Sequence, residues 1–175
     1  MEGLKVKGGD KYGVNITWNC ENVRLINCDV SEWGASGVLN PWLKSYLVDG
    51  NVRNLDGGVR IWGSKNIVVE RCYIHDTMGS TNPWSYGDPT SFADYWSRNH
   101  PAGPSAMLLG GSQRLVIRYN DMSGSDKHRF NDVMECEING GNYAGPGFDS
   151  DIHGNLWYCN EDDSLEIDSS GRNVR

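Results

Sequence analysis

Short stretches in which apolar and polar residues alternate recur along the chain, and they come in pairs. Gly13-Val-Asn-Ile-Thr-Trp18 is followed by Asn22-Val-Arg-Leu-Ile-Asn-Cys28, and Gly58-Val-Arg-Ile-Trp62 by Asn66-Ile-Val-Val-Glu-Arg-Cys72. Ala106-Met-Leu-Leu109 precedes Arg114-Leu-Val-Ile-Arg-Tyr119. A fourth pair begins Asp132-Val-Met-Glu-Cys-Glu-Ile138 and resumes at Asp151-Ile-His-Gly-Asn-Leu-Trp157; a last pair is Ser164-Leu-Glu-Ile-Asp168 with Arg172-Asn-Val-Arg175. A weaker copy, Gly37-Val-Leu39 with Tyr46-Leu-Val48, lies between the first two. A period of two belongs to strands with one buried face, and no convincing helical period occurs. Two strands plus turns in about 22 residues predict one coil of a solenoid. In that arrangement Val14/Ile16, Val59/Ile61, Met107/Leu109, Met134/Cys136 and Leu165/Ile167 stack inward.

Asn22, Asn66, Asn155 and Asn173 each stand just before a second strand. Asn accepts the left-handed backbone conformation and bonds local backbone, so such residues stacked on successive coils predict an amide ladder. The whole pattern resembles the right-handed parallel β-helix proteins, a superfamily that includes pectate lyases, polygalacturonases and phage tailspikes. The resemblance spans nearly the whole chain and rests on the repeat. It implies an all-β, right-handed parallel β-helix of about six coils. Long loop insertions interrupt it, and residues 1–175 form a single domain. Solenoids cover their terminal coils with caps. Full caps are not evident here, as expected of a segment of a longer protein or of a chain whose coil ends are covered by a partner, including a second copy.

Five cysteines, Cys20, Cys28, Cys72, Cys136 and Cys159, include no C-x-x-C pair, which argues against a zinc ribbon. Counting the weaker copy as a coil puts Cys28 and Cys72 two coils apart, ~9.6 Å at ~4.8 Å per coil, too far for a disulfide. Buried free thiols are expected. Twenty-two glycines fit a chain with many turns. No apolar run is long enough to span a membrane as a helix. No signal peptide opens the sequence, and a secreted or periplasmic location is expected only if a leader has been removed.

The net charge of −7 is uneven: from Asp121 onward 12 acidic residues face 4 basic ones. That bias argues against nucleic acid, whose phosphates need a basic face, and points to carboxylate or metal chemistry. With Met134, Cys136, Leu165 and Ile167 inward, Glu135, Glu137, Glu166 and Asp168 face outward, with Glu135 beside Glu166 and Glu137 beside Asp168. Like charges on neighbouring strands repel, so a cation, a shared proton or a nearby base is expected. Asp132, Asp162 and Asp163 enter these strands and offer oxygen ligands of the kind that hold calcium. Lys127, His128 and Arg129 lie just upstream and offer positive charge, and His128 is a candidate base. Earlier coils put Arg60 and Trp62 in the same outward columns. An insertion over 79–105 carries Trp84, Tyr86, Tyr95 and Trp96, aromatic surfaces suited to stacking on sugar rings.

The family resemblance carries over in part. Asn160-Glu-Asp-Asp163 looks like the paired-aspartate motif of polygalacturonases; Ile152-His-Gly154 lacks the first glycine of their Gly-His-Gly, and no Arg-Ile-Lys occurs. Pectate-lyase-like enzymes combine calcium-binding carboxylates with an Arg or Lys base, a role the resemblance would give to Arg129 or Lys127. The expected function is a carbohydrate-active protein, a polysaccharide hydrolase or lyase acting on a polysaccharide or oligosaccharide. The alternative is a non-catalytic carbohydrate-binding or structural solenoid that associates through its coil ends.

Overall fold

The structure, a computed structural model, describes residues 1–34, 38–40, 45–48, 51–52, 56–81, 101, 103–136, 145–167 and 171–175. Every regular element among them is a strand. Three sheets are built wholly from parallel pairs. The first contains β1 (Lys5–Lys7), β4 (Asp29–Ser31), β10 (Tyr73–His75), β13 (Asp121–Ser123) and β16 (Leu156–Tyr158), in that spatial order. The second orders β2 (Tyr12–Ile16), β8 (Gly57–Trp62), β11 (Ser105–Gly110) and β14 (Met134–Cys136), and a bridge from Met134 to Leu165 extends it. The third orders β3 (Arg24–Ile26), β9 (Lys65–Glu70), β12 (Gln113–Arg118), β15 (Phe148–His153) and β17 (Arg172–Val174). The chain visits first, second and third sheet in turn and then begins again, the course of a parallel β solenoid.

The register stacks like on like. Val14, Val59, Met107 and Met134 form one inward column, and Ile16, Ile61, Leu109 and Cys136 another. Leu25, Val69, Ile117 and Ile152 form the column of the third sheet, and Val6, Val30, Ile74, Met122 and Trp157 that of the first. The central members are fully buried. Each such side chain contributes about 1.5–3 kcal/mol of transfer free energy, and the sum over columns holds the sheets together. Trp33 and Phe130 stack at 6.0 Å and fill one corner of the core.

Corners are made by single left-handed residues at matching places. Asn22, Asn66, Arg114, Asp149 and Asn173 have positive φ where the chain enters the third sheet, and Asn27, Arg71, Tyr119 and Gly154 where it leaves. Asn66 donates to Asn22 at 3.1 Å, and Asn173 to Asp149 at 2.8 Å. The expected ladder is therefore present at Asn22 and Asn66. Asn155 belongs to a different column at the next corner. There its Oδ1 accepts from the backbone and amide of Asn120, and Asn120 Oδ1 accepts from the Cys72 N–H.

Three expectations need correction. The weak copy is no coil: β5 (Val38–Asn40), β6 (Ser45–Val48) and β7 (Asn51–Val52) pair antiparallel in a small separate sheet. Among the described residues, two sheets of five strands each stand where six coils were expected. Consequently β3 pairs directly with β9, and Cys28 lies one coil from Cys72 instead of two. All five thiols are free; Cys28, Cys72 and Cys136 are buried, whereas Cys20 and Cys159 are half-buried. Finally, Ile167 is 45% exposed, because the pairing that aligns Leu165 with Met134 does not continue to it.

Candidate active site

The site lies on the outer face of the second sheet, and its position depends on a break in strand alternation. A Cβ added to Gly58 would meet Ile74 and Trp33, so position 58 faces the core as Val59 does. A Cβ on Gly57 would instead meet the Leu108 side chain, on the outer face. Two consecutive inward residues turn the corner, and Ala106–Met107 and Val133–Met134 repeat them, all four buried in the core cluster. The outer face therefore receives Ser105 with Leu108 from β11, and Asp132 with Glu135 from the coil of β14. Met134 aligns with Leu165, and the Glu166 N–H donates to the Met134 carbonyl at 3.0 Å. Glu166 thus neighbours Glu135, as the repeat predicts.

The carboxylates form a graded cluster. Glu135 and Asp132 are each only 5% exposed, whereas Glu166 and Asp162 are half-buried and Asp163 is exposed. Glu135 points away from the lumen as expected, yet it is not on a solvated surface. Its carboxylate accepts a hydrogen bond from the buried Ser105 hydroxyl. Burial, reinforced by the charges of Asp132, Glu166 and Asp162, holds Glu135 well above the usual carboxyl range despite that bond. Asp132 accepts from the Asp163 N–H at 2.7 Å and from the Asn131 amide at 2.7 Å. Burial, with Asp162, Glu166 and Asp163 adding repulsion, pushes it up to about 7. Glu166 is anchored at the sheet edge, where one oxygen accepts from the Cys136 N–H at 2.9 Å. Desolvation favours the neutral form of both inner carboxyls, which lessens the repulsion.

Asp132, Asp162 and Asp163 each bring one oxygen within 4.8 Å of the others, a set that fits a hard divalent cation. Asn131 adds to that fit. It is 1% exposed, its amide already meets Asp132, and its Oδ1 lacks a hydrogen-bond partner.

Arg129 and His128 are held elsewhere. Arg129 pairs with Glu161 and, at 3.2 Å, with Asp126, and these carboxylates raise its guanidinium further. His128 closes a tight turn through backbone bonds to Ser125, and its Nδ1 is buried without a partner. Two coils away on the same outer face, Arg60 stands in register with Asn15 and Leu108. Its guanidinium lies 5.2 Å from both the Tyr12 and the Trp62 ring centroids. The Trp62 indole lies over Gly110, where a Cβ would come within 2.0 Å of it, so that glycine lets the ring reach toward the acidic coils. Trp18, 55% exposed, meets Trp62 edge-on at 6.1 Å.

Glu137, Asp168, Trp84, Tyr86, Tyr95 and Trp96 lie outside the described residues. Ser105, Asn131 and Trp18 were missed by sequence reasoning. Strict alternation turns Ser105 inward, and only the doubled core positions at the corner reveal otherwise. Compared with models of protein families, with curated proteins and with solved structures, the chain matches none.

Proposed function

We propose that the chain is a right-handed parallel β-helix that hydrolyses a polysaccharide on the outer face of its second sheet. Right-handedness follows from the general rule that crossovers between parallel strands of one sheet take that hand in about 98% of cases. Glu135 is the proton donor: burial favours the acid form of its carboxyl, as a general acid requires. Glu166, its neighbour across the strand pair, is the carboxylate that faces the reacting carbon or its water. The glycosidic C–O bond breaks as the Glu135 proton passes to the leaving oxygen. Water supplies the new C–O bond and its proton goes to Glu166. Tyr12, Arg60 and Trp18, backed by the buried Trp62, offer a cationic, aromatic surface along the same face on which sugar rings stack. Asp132, Asp162 and Asp163 would hold calcium. When bound, the ion supplies positive charge to sugar oxygens.

The observation that carries this reading is the buried Glu135, bonded to the Ser105 hydroxyl and in register with Glu166. The test is release of reducing ends from a panel of neutral and uronic polysaccharides. Glu135→Gln and Glu166→Gln are each expected to lower the rate at least about 100-fold while folding is retained. Unsaturated products detected by ultraviolet absorbance would replace hydrolysis by elimination. Sugar binding without any cleavage by the wild type would replace catalysis by a binding function.

A further inference from the structure

The corner between the third and first sheets carries a feature with no part in the acidic site. Arg24 to Ile26 align with Val68 to Glu70, and Asp29 to Ser31 align with Tyr73 to His75, a constant offset on both sides of the corner. That offset places Cys28 directly over Cys72. The Asn27 N–H donates to Glu70, and the Tyr73 N–H to the Cys28 carbonyl at 2.8 Å, so the two turns are laced together at the cysteines themselves. Both side chains are 2% exposed and belong to the core cluster. They take matching positions: Cys28 donates to the Ile26 carbonyl at 3.2 Å, and Cys72 to the Glu70 carbonyl at 3.4 Å. Cys72 also reaches the Leu25 carbonyl at 3.5 Å, on the coil that bears Cys28. Neighbouring parallel strands lie ~4.8 Å apart. That spacing falls inside the Cα separation of ~4.4–6.8 Å that a disulfide spans.

We propose that Cys28 and Cys72 are an oxidisable pair, which a dissolved peroxide converts into a disulfide stapling two consecutive coils. One thiol attacks the peroxide, becoming a sulfenic acid and releasing water. The stacked second thiol displaces the sulfenic oxygen as a second water, and the S–S bond forms. Two electrons pass from the sulfurs to the peroxide, and a thiol reductant reverses the bond. Burial pushes the Cys72 thiol up to about 11, so local opening of this corner is the step that admits the oxidant and frees the attacking thiolate. The link closes a segment that contains the antiparallel strands β5–β7, so it restrains a long stretch of unfolded chain.

The test uses the folded chain treated with hydrogen peroxide, then alkylated, denatured and digested without reduction. Mass spectrometry is expected to find a Cys28–Cys72 linked peptide that dithiothreitol abolishes. The melting temperature of the oxidised protein is expected to rise by about 5 °C or more. Cys28→Ala and Cys72→Ala are expected to lose both effects. A Cys20→Ala/Cys136→Ala/Cys159→Ala variant, which keeps only the stacked pair, is expected to retain both. Two free thiols after oxidation, a different pairing, or sulfinic acid at both positions in that triple variant would overturn the proposal.

Discussion

Asp132→Asn tests whether the acidic cluster is held together at the expense of stability. Burial pushes Asp132 up to about 7 in the fold, from an ordinary value of 3.8. A carboxyl whose folded pKa is raised binds its proton more tightly in the native state. Stability is therefore greatest below the unfolded pKa and falls as pH rises toward the folded one. The shift corresponds to about 4 kcal/mol lost between pH ~4 and ~7. Glu135 acts in the same direction. Asp29 and Glu70 are shifted downward, the latter chiefly by its bond to Arg118, so their contributions are present above the unfolded pKa and are lost only at lower pH. An amide at 132 keeps an acceptor for the Asp163 N–H. Flipping the Asn131 amide then turns its unpartnered Oδ1 toward the new donor. The assay is urea unfolding from pH 4.5 to 8.5 in the presence of a chelator. The variant is expected to match the wild type within about 1 kcal/mol at pH 4.5 and to exceed it by about 1–4 kcal/mol at pH 8. Glu135 leaves a residual slope. A wild type whose stability is flat or rising from pH 5 to 7.5, or a variant weakened equally at every pH, would refute the reasoning.

Two further outcomes follow from the same geometry. Calcium added at pH 8 is expected to raise the melting temperature in a saturable way, and Asp162→Asn/Asp163→Asn together are expected to remove that response, read by differential scanning calorimetry with and without chelator. Asn120→Ala removes an amide that accepts from Cys72 and donates to the Val69 carbonyl and to Asn155; it should cost about 3 kcal/mol in urea unfolding, since buried partners are left unsatisfied.

Much of the second and third sheets was legible in the chain. Val59-x-Ile61 and Ile67-x-Val69 alternate over enough residues to reveal their buried face, and like residues recur at like places in successive coils. The pairing of Met134 with Leu165, and hence of Glu135 with Glu166, follows from that repeat alone. The first sheet was not legible. Its strands are three residues long with a single inward member, such as Val30 or Ile74, and one apolar residue has no period. Residues 38–48 show the opposite failure. Alternation there reads as a coil, but the pattern is the same whether a strand pairs parallel or antiparallel, and only the partner decides. The error moved Cys28 and Cys72 apart, and the register brings them together.

Sequence by itself determined which residues turn inward along each longer strand, because a pleated strand buries alternate side chains whatever its neighbours are. Tertiary structure decided the environment of the carboxylates. Glu135 and Glu166 are equally acidic as residue types and share one face. The doubled inward step at Ala106–Met107 and Val133–Met134 brings Ser105 and Asp132 to that face, where Glu135 is buried and its acid form is favoured while Glu166 stays partly in water. Desolvation depends on what lies around a group in space, and no local pattern in the chain encodes that.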